Sequence, residues 1–364
     1  VWVMQGWMFG YQRGVWDKES TRAFLSRIPD DKMLIIDLGV DYNVTVWQHG
    51  PNWEQYDGLF GKPWVYSVIP NMGDNTGPTA NLPFYANAQL NAMNSPQRGN
   101  LKGFGFAPEG IETNELVYEL LTDAGWRTDS IDLDNWLEQY SLCRYGAYPE
   151  AMKTAFDHFR KSVYRTIVGR PSFTWNFRPE TYRGDVKVGP DFEAGIRAFV
   201  SCADSLSASP LYRNDLIEWG AMYCGAKAEE AANAAMDMKK SGKIDLDSLD
   251  RLQAKFNLNM SRADSLLESH PLYRLQLWLD QARNCGETPE LKDYYEHNAR
   301  RIVTVWGPPV DDYSSRIWSG LIRDYYIPRW NHYFESIRSG KPFDFAPWEL
   351  EWVNSTGISP LTPY

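Results

Sequence analysis

Apolar residues in the first third of the chain alternate between two textures. Val1–Met4, Met33–Leu38, Trp64–Ile69 and, more weakly, Gly103–Ala107 are short and nearly continuous apolar runs, the signature of strands covered on both faces. Lys18–Ile28 and Leu82–Met93 instead space their apolar residues for one face of a helix. Short apolar strands alternating with helices predict parallel βα units. Four such units make half of an eight-stranded barrel. A small doubly wound sheet is the competing arrangement, although no Gly-rich phosphate loop follows any of the runs.

From about Asn114 onward the periodicity is almost wholly helical. Asp132–Tyr145 sets Leu133, Trp136, Leu137 and Tyr140 on one stripe, and Gly146 follows as a stop. Ser209-Pro210 and Thr288-Pro289 read as helix starts, a capping hydroxyl followed by a residue whose missing N–H costs nothing in the first turn. Helices are predicted over Leu211–Lys240, Leu246–Ser269, Leu272–Asn284, Leu291–Trp306 and Tyr313–Ser339, and a loop over Asn176–Pro190. The expected organisation is α/β plus all-α: a partial (β/α) barrel over residues 1–113, then an all-helical domain over residues 114–364.

Composition narrows the partners. With 364 residues, 43% hydrophobic and 23% charged, the chain is globular and long enough for two domains. A net charge of -10 argues against nucleic acid, which needs a basic face. No apolar run is long enough to enter a membrane. Sixteen tryptophans fit a rich core, or a site where pyranose faces stack on rings. Cys143, Cys202, Cys224 and Cys285 show no metal-binding spacing and are expected to be four buried thiols, and the five histidines are scattered, so no metal site is predicted. Asn43, Asn259 and Asn354 each begin an Asn-x-Ser/Thr sequon, relevant only in a secretory pathway. The chain also opens inside a strand-like run, as a fragment or processed piece would.

Catalytic groups of a βα barrel sit at the carboxy ends of its strands. Gln5-Gly6-Trp7-Met8-Phe9 follows the first run, Asp37, Leu38 and Asp41 the second, Pro70-Asn71-Met72-Gly73-Asp74-Asn75 the third, and Pro108-Glu109-Gly110-Ile111 the fourth. Glu109, between Pro and Gly, is placed as a glycosidase places a carboxylate. It is also placed as an acid in the first turn of a helix starting near Thr113 would be. Trp7 is a sugar platform or a core ring. Asp37 is better suited to fastening a loop than to catalysis. Asn71 and Asn75 bond hydroxyls or shape turns.

Gln5–Phe9, Leu34–Leu38, Gly105-Phe106-Ala107-Pro108-Glu109-Gly110-Ile111, Asn114–Tyr118, Arg170-Pro171-Ser172, Trp306-Gly307-Pro308 and Tyr325-Tyr326-Ile327-Pro328-Arg329-Trp330 resemble, in order, segments of the α-N-acetylglucosaminidases, glycoside hydrolase family 89. The resemblance implies the second half of a TIM-type barrel followed by a helical domain that closes the pocket. It implies retaining exo-hydrolysis of terminal α-linked N-acetylglucosamine from heparan sulfate or mucin-type glycans, without metal or cofactor. By the same resemblance Glu109 is the nucleophile, Trp7, Leu38, Ile69 and Met72 are pocket walls, and Tyr313 with its neighbour Val310 is delivered by the helical domain. Two features depart from the pattern. Met72 occupies a position filled by an aromatic ring in a relative, and the segment before Arg170-Pro171 is short and lacks an expected histidine.

The family's acid/base glutamate lies on a barrel strand that would precede Val1. The implied partners are therefore a carbohydrate substrate and the amino-terminal half of the barrel, with no nucleic acid and no membrane insertion. The implied setting is secreted, periplasmic or lysosomal. A different retaining glycosidase, or a non-catalytic helical module that binds glycan or protein, are the competing readings.

Overall fold

A computed structural model describes residues 1–169, 171–186, 188–306 and 312–361. The expected strands form one four-stranded parallel sheet in chain order: β1 (Trp2–Gln5), β2 (Met33–Asp37), β3 (Pro63–Val68) and β4 (Asn100–Phe106). Register pairs Gln5 with Ile36, Asp37 with Tyr66 and Val68 with Phe106. Four carboxy-terminal strand ends therefore lie side by side. The central strands carry the burial, with Met33, Ile35, Trp64 and Val68 all nearly inaccessible. The edge strands do not. Val1, Trp2 and Val3 are 86%, 48% and 54% exposed, and no residue of β4 is buried. Cavities of about 450 and 510 Å³ run along β4 and the helix Glu115–Trp126, whose Trp126 is 88% exposed.

The chain divides into two compact units. The first comprises Val1–Met72, Pro78–Tyr140 and Phe159–Gly169, and the second Gly73–Gly77, Ser141–His158 and Arg170–Tyr364. In the first unit, helices α1 (Lys18–Leu25), α2 (Leu82–Asn94) and α3 (Glu115–Trp126) alternate with or follow the strands. Asp17 and Asn81 cap the first two by accepting the backbone N–H of Ser20 and Phe84. A two-residue antiparallel pair, Ala80–Asn81 with Arg165–Thr166, has too few residues to leave a sequence pattern.

The second unit is built of helices, the longest being α6 (Pro210–Ser241) and α7 (Leu246–Glu268), counted after α4 (Glu150–Lys161) and α5 (Pro190–Ser201). Ser209 caps α6 as its sequence predicts, and Gly242 ends it with φ +68°. Ala228, Ala231, Ala232 and Ala235 are fully buried on α6, so small side chains let this helix pack closely.

Some expectations are corrected. The predicted helix Tyr313–Ser339 is helical only from Ile322, as a π-helical turn to Tyr326 and then an α-helix over Ile327–Ser339. Its first residues are taken by tertiary bonds instead: Ile317 N–H donates to Thr76 Oγ1 (2.6 Å), Ser319 N–H to the Tyr273 carbonyl (2.9 Å), and Gly320 turns with φ +85°. Pro328, lacking an N–H, coincides with the change of helix type. The helix predicted from Leu272 starts at Leu275, because the Leu272 and Tyr273 N–H groups donate to His270 Nδ1. Cys202 and Cys224 are buried thiols, but Cys143 and Cys285 are exposed. Cys143 lies in the last turn of its helix, and Cys285 sits at a helix end.

Candidate active site

The strand ends of the first unit gather five of the predicted site residues along one side of the sheet. Trp7 opens a five-residue helix after β1 and is half-buried. Its ring packs on Trp47 at 4.7 Å between centroids and stacks on Tyr11 at 6.0 Å with 17° between planes. Gly39, just past β2, makes room for it. Gly39 has φ +81°, and a Cβ there would lie 2.5 Å from the Trp7 ring and 3.6 Å from Ile69 Cδ1. A left-handed backbone and this close approach both require glycine. Trp7, Gly39 and Ile69 thus join the ends of three neighbouring strands. Leu38 and Met72 are half-buried beside them in sequence.

Two acids after β2 fasten this rim. Asp37, fully buried, accepts a hydrogen bond from Asn52 Nδ2 (2.8 Å). Asp41, also fully buried, accepts from the Ile69 N–H (3.0 and 3.1 Å to its two oxygens) and from Tyr85 OH (2.9 Å). Burial in an apolar setting pushes Asp37 up to about 7 and Asp41 up to about 6, against hydrogen bonds that pull both down. Both act as loop fasteners, the role favoured for Asp37 from its sequence position.

Glu109 differs. It is exposed, and its backbone is pinned: its N–H donates to the Asn71 carbonyl (3.0 Å), two residues after Ala107 N–H donates to Val68 (2.9 Å). Asn71 Nδ2 donates to Thr113 Oγ1 (2.9 Å) and Tyr118 OH to the Gly110 carbonyl (2.8 Å), so the turn is held on both sides. The helix-start alternative for Glu109 is filled by another residue. That helix begins at Glu115, which is the acid in its first turn.

Asn75 is a structural hub, not a free sugar ligand. Its Oδ1 accepts from Ser172 Oγ (2.5 Å) and Ser315 Oγ (2.9 Å), and its Nδ2 donates to the Tyr313 carbonyl (3.2 Å). Tyr313, in the second unit, is half-buried and packs edge-on against Trp306. Val310 lies outside the described residues. No group of three or more metal-ligating side chains occurs among the described residues, and no described helix is long and apolar enough to cross a membrane.

The fold is thus that of a TIM-type barrel protein with a strand-end carboxylate, continued by a helical domain. The family model for the α-N-acetylglucosaminidase tim-barrel domain matches residues 1–128, and that for the C-terminal domain matches residues 136–363. The chain belongs to the α-N-acetylglucosaminidase family. It is 30% identical over 366 residues to the Homo sapiens α-N-acetylglucosaminidase, covering 94% of this chain and 47% of the relative. Structures of a family 89 glycoside hydrolase from Clostridium perfringens align with a TM-score of 0.84 at 24% identity, over 98% of this chain and 41% of theirs. One holds 2-acetamido-1,2-dideoxynojirimycin, one PUGNAc, and one, a variant with two glutamates replaced by glutamine, its substrate GlcNAc-α-1,4-galactose. The chain spans about half the length of these relatives.

Proposed function

We propose that this chain carries the nucleophile side of a retaining exo-α-N-acetylglucosaminidase, with Glu109 as nucleophile. The observation that carries the reading is the contrast at the strand ends: Asp37 and Asp41 are fully buried and committed to fastening, whereas Glu109 is exposed on a turn held at both flanks. The barrel portion is residues 1–113 and the pocket-contributing helical domain residues 114–364. Trp7, Leu38, Ile69 and Met72 form walls, and Tyr313 with Val310 completes the pocket. The ligands held by the Clostridium perfringens structures, all N-acetylglucosamine-like, support the sugar specificity. The wider substrates are heparan sulfate or mucin-type glycans.

In this mechanism a Glu109 oxygen attacks the anomeric carbon as the bond to the aglycone oxygen breaks. A second carboxyl, about 5–5.5 Å away, protonates that oxygen and then activates water against the glycosyl-enzyme ester. That acid/base group lies outside these 364 residues, on the amino-terminal half of the barrel. The exposed β1 edge and the uncovered β4 are where strands of that half would pair. The setting is a secreted, periplasmic or lysosomal one. Of the three sequon asparagines, Asn43 is fully buried, Asn259 nearly so, and Asn354 is exposed.

The test is hydrolysis of 4-nitrophenyl α-N-acetylglucosaminide. The chain alone should be inactive, and addition of the amino-terminal half should restore turnover where the halves associate. Glu109→Gln in the complete enzyme should lower turnover by several orders of magnitude without changing the fold. Near-normal turnover in folded Glu109→Gln removes Glu109 from the mechanism.

A further inference from the structure

Asp312, the residue before Tyr313, holds a left-handed backbone with φ +60° although it is not glycine. Aspartate tolerates this region better than most residues, yet such a conformation persists only where the surroundings fix it. Here they do. Asp312 N–H donates to the Thr304 carbonyl (2.8 Å), and its carboxylate takes Arg329 Nη1 on both oxygens (2.9 and 3.0 Å) and the Arg178 N–H (3.0 Å). Arg329 is completely buried and is itself fully oriented. It also contacts Glu349 (3.3 Å), donates through Nη2 to the Asn176 carbonyl (2.6 Å) and lies 4.6 Å from the Tyr325 ring centroid. Glu349 in turn binds the Arg178 guanidinium.

On its other side the same segment is tied to the loop that continues from β3. Asn75 holds the Tyr313 carbonyl, Arg316 pairs with Asp74 and donates to the Gly73 carbonyl (2.8 Å), and a Cβ on Gly73 would meet the Tyr313 oxygen at 2.3 Å. A buried ion pair of this kind is poor evidence for stability, because desolvation offsets its attraction. It is strong evidence for orientation, since Nη1 of the guanidinium reaches both Asp312 oxygens while Nη2 of the same rigid plane is fixed on the Asn176 carbonyl.

We infer that the Asp312–Arg329 pair is a positioning device that sets the backbone turn presenting Tyr313, so that both residues act on the sugar site through Tyr313. This rests on the reading that Tyr313 lines the sugar pocket. The role of Arg329 in the Tyr-Tyr-x-Pro-Arg-Trp run is then orientation of Tyr313, reached from 16 residues further along the chain.

Three variants separate orientation from folding. Asp312→Gly keeps the left-handed turn and removes the carboxylate. Asp312→Asn keeps the shape and one acceptor for Arg329. Arg329→Lys keeps the buried charge and loses the fork. The probe is 3-fluorotyrosine at position 313, read by fluorine NMR, together with hydrogen exchange of the 313–317 amides by mass spectrometry. A single narrow resonance is expected in the parent chain. Asp312→Gly and Arg329→Lys should shift or split it and speed exchange by at least an order of magnitude, and Asp312→Asn should recover most of the parent signal. An unchanged resonance and unchanged exchange in a folded Asp312→Gly or Arg329→Lys chain overturns the proposal. So does Asp312→Asn behaving as badly as Asp312→Gly. Affinity of the complete enzyme for 2-acetamido-1,2-dideoxynojirimycin tests the underlying reading separately. If Tyr313→Ala binds it as tightly as the parent while the fluorine signal responds as expected, the pair positions Tyr313 but Tyr313 does not line the pocket.

Discussion

The ends of β2 and β4 put acids to opposite uses. After β2, Asp37 and Asp41 have no solvent exposure; one Asp37 oxygen takes Asn52, and both Asp41 oxygens are taken by Ile69 and Tyr85. After β4, Glu109 is exposed, and the backbone around it is held. A strand-end carboxylate is therefore not by itself a catalytic candidate. Buried and bonded to its neighbours, it fixes the rim. Exposed on a pinned turn, it is where a substrate can reach it. In the proposed mechanism the two roles need each other, because a nucleophile misplaced by about 1 Å can lose about 10²-fold in rate.

Removing a fastener should show most visibly in stability. Asp41→Ala strands the Ile69 N–H and Tyr85 OH without their acceptor and should cost about 2–5 kcal/mol, since each buried donor left unpaired costs about 1–3 kcal/mol. Glu109→Gln should change stability by no more than about 0.5 kcal/mol, as exposed substitutions usually do. Denaturant unfolding of the two variants side by side checks both values. Equal losses would dissolve the distinction between the acids.

Gly39→Ala probes the rim's other component. A methyl 2.5 Å from the Trp7 ring, on a backbone at φ +81°, must displace the ring or the turn. The expected cost is about 1–3 kcal/mol, with a change in tryptophan fluorescence that accompanies movement of Trp7.

The smallest effect is a pH slope. Burial raises the Asp37 carboxyl to about 7 and that of Asp41 to about 6, whereas the unfolded chain releases these protons near the ordinary value of about 3.9. Between about 4 and 7 the folded state binds more protons than the unfolded state. Stability from these groups is therefore full at low pH and is lost as pH rises through their folded values. The first unit should melt at a higher temperature at pH 5.5 than at pH 8. Asp37→Asn, which cannot ionise and still accepts from Asn52, should flatten that difference. A melting temperature that rises with pH over this range would contradict the assignment.

Much of the barrel half was legible in the sequence because its strands are continuous apolar runs and its helices space their apolar residues along one face. The edge strands were legible for the same reason, although in this chain they remain uncovered. Glu109 stood out through its Pro-Glu-Gly setting and its place after β4. The segment 313–321 was misread as helix because its backbone groups are consumed by partners more than 200 positions earlier, such as Asn75 and Thr76. Local periodicity carries no trace of such contacts. The left-handed turn at Asp312 and the buried fork of Arg329 were invisible for the same reason. So was the exposure of Cys143 and Cys285, which depends on which helix face meets a neighbour.

The central claim is that Glu109 is the atom donor to the anomeric carbon. It is tested most directly by incubating the protein with 5-fluoro-α-N-acetylglucosaminyl fluoride. Its fluoride leaving group reduces the need for an acid, and its ring fluorine slows release of the ester. Peptide mass spectrometry of the complete enzyme should then find one sugar adduct, on the peptide containing Glu109, and none in Glu109→Gln. An adduct on another carboxylate, or steady turnover of the fluoride with Glu109 never labelled, would contradict the account.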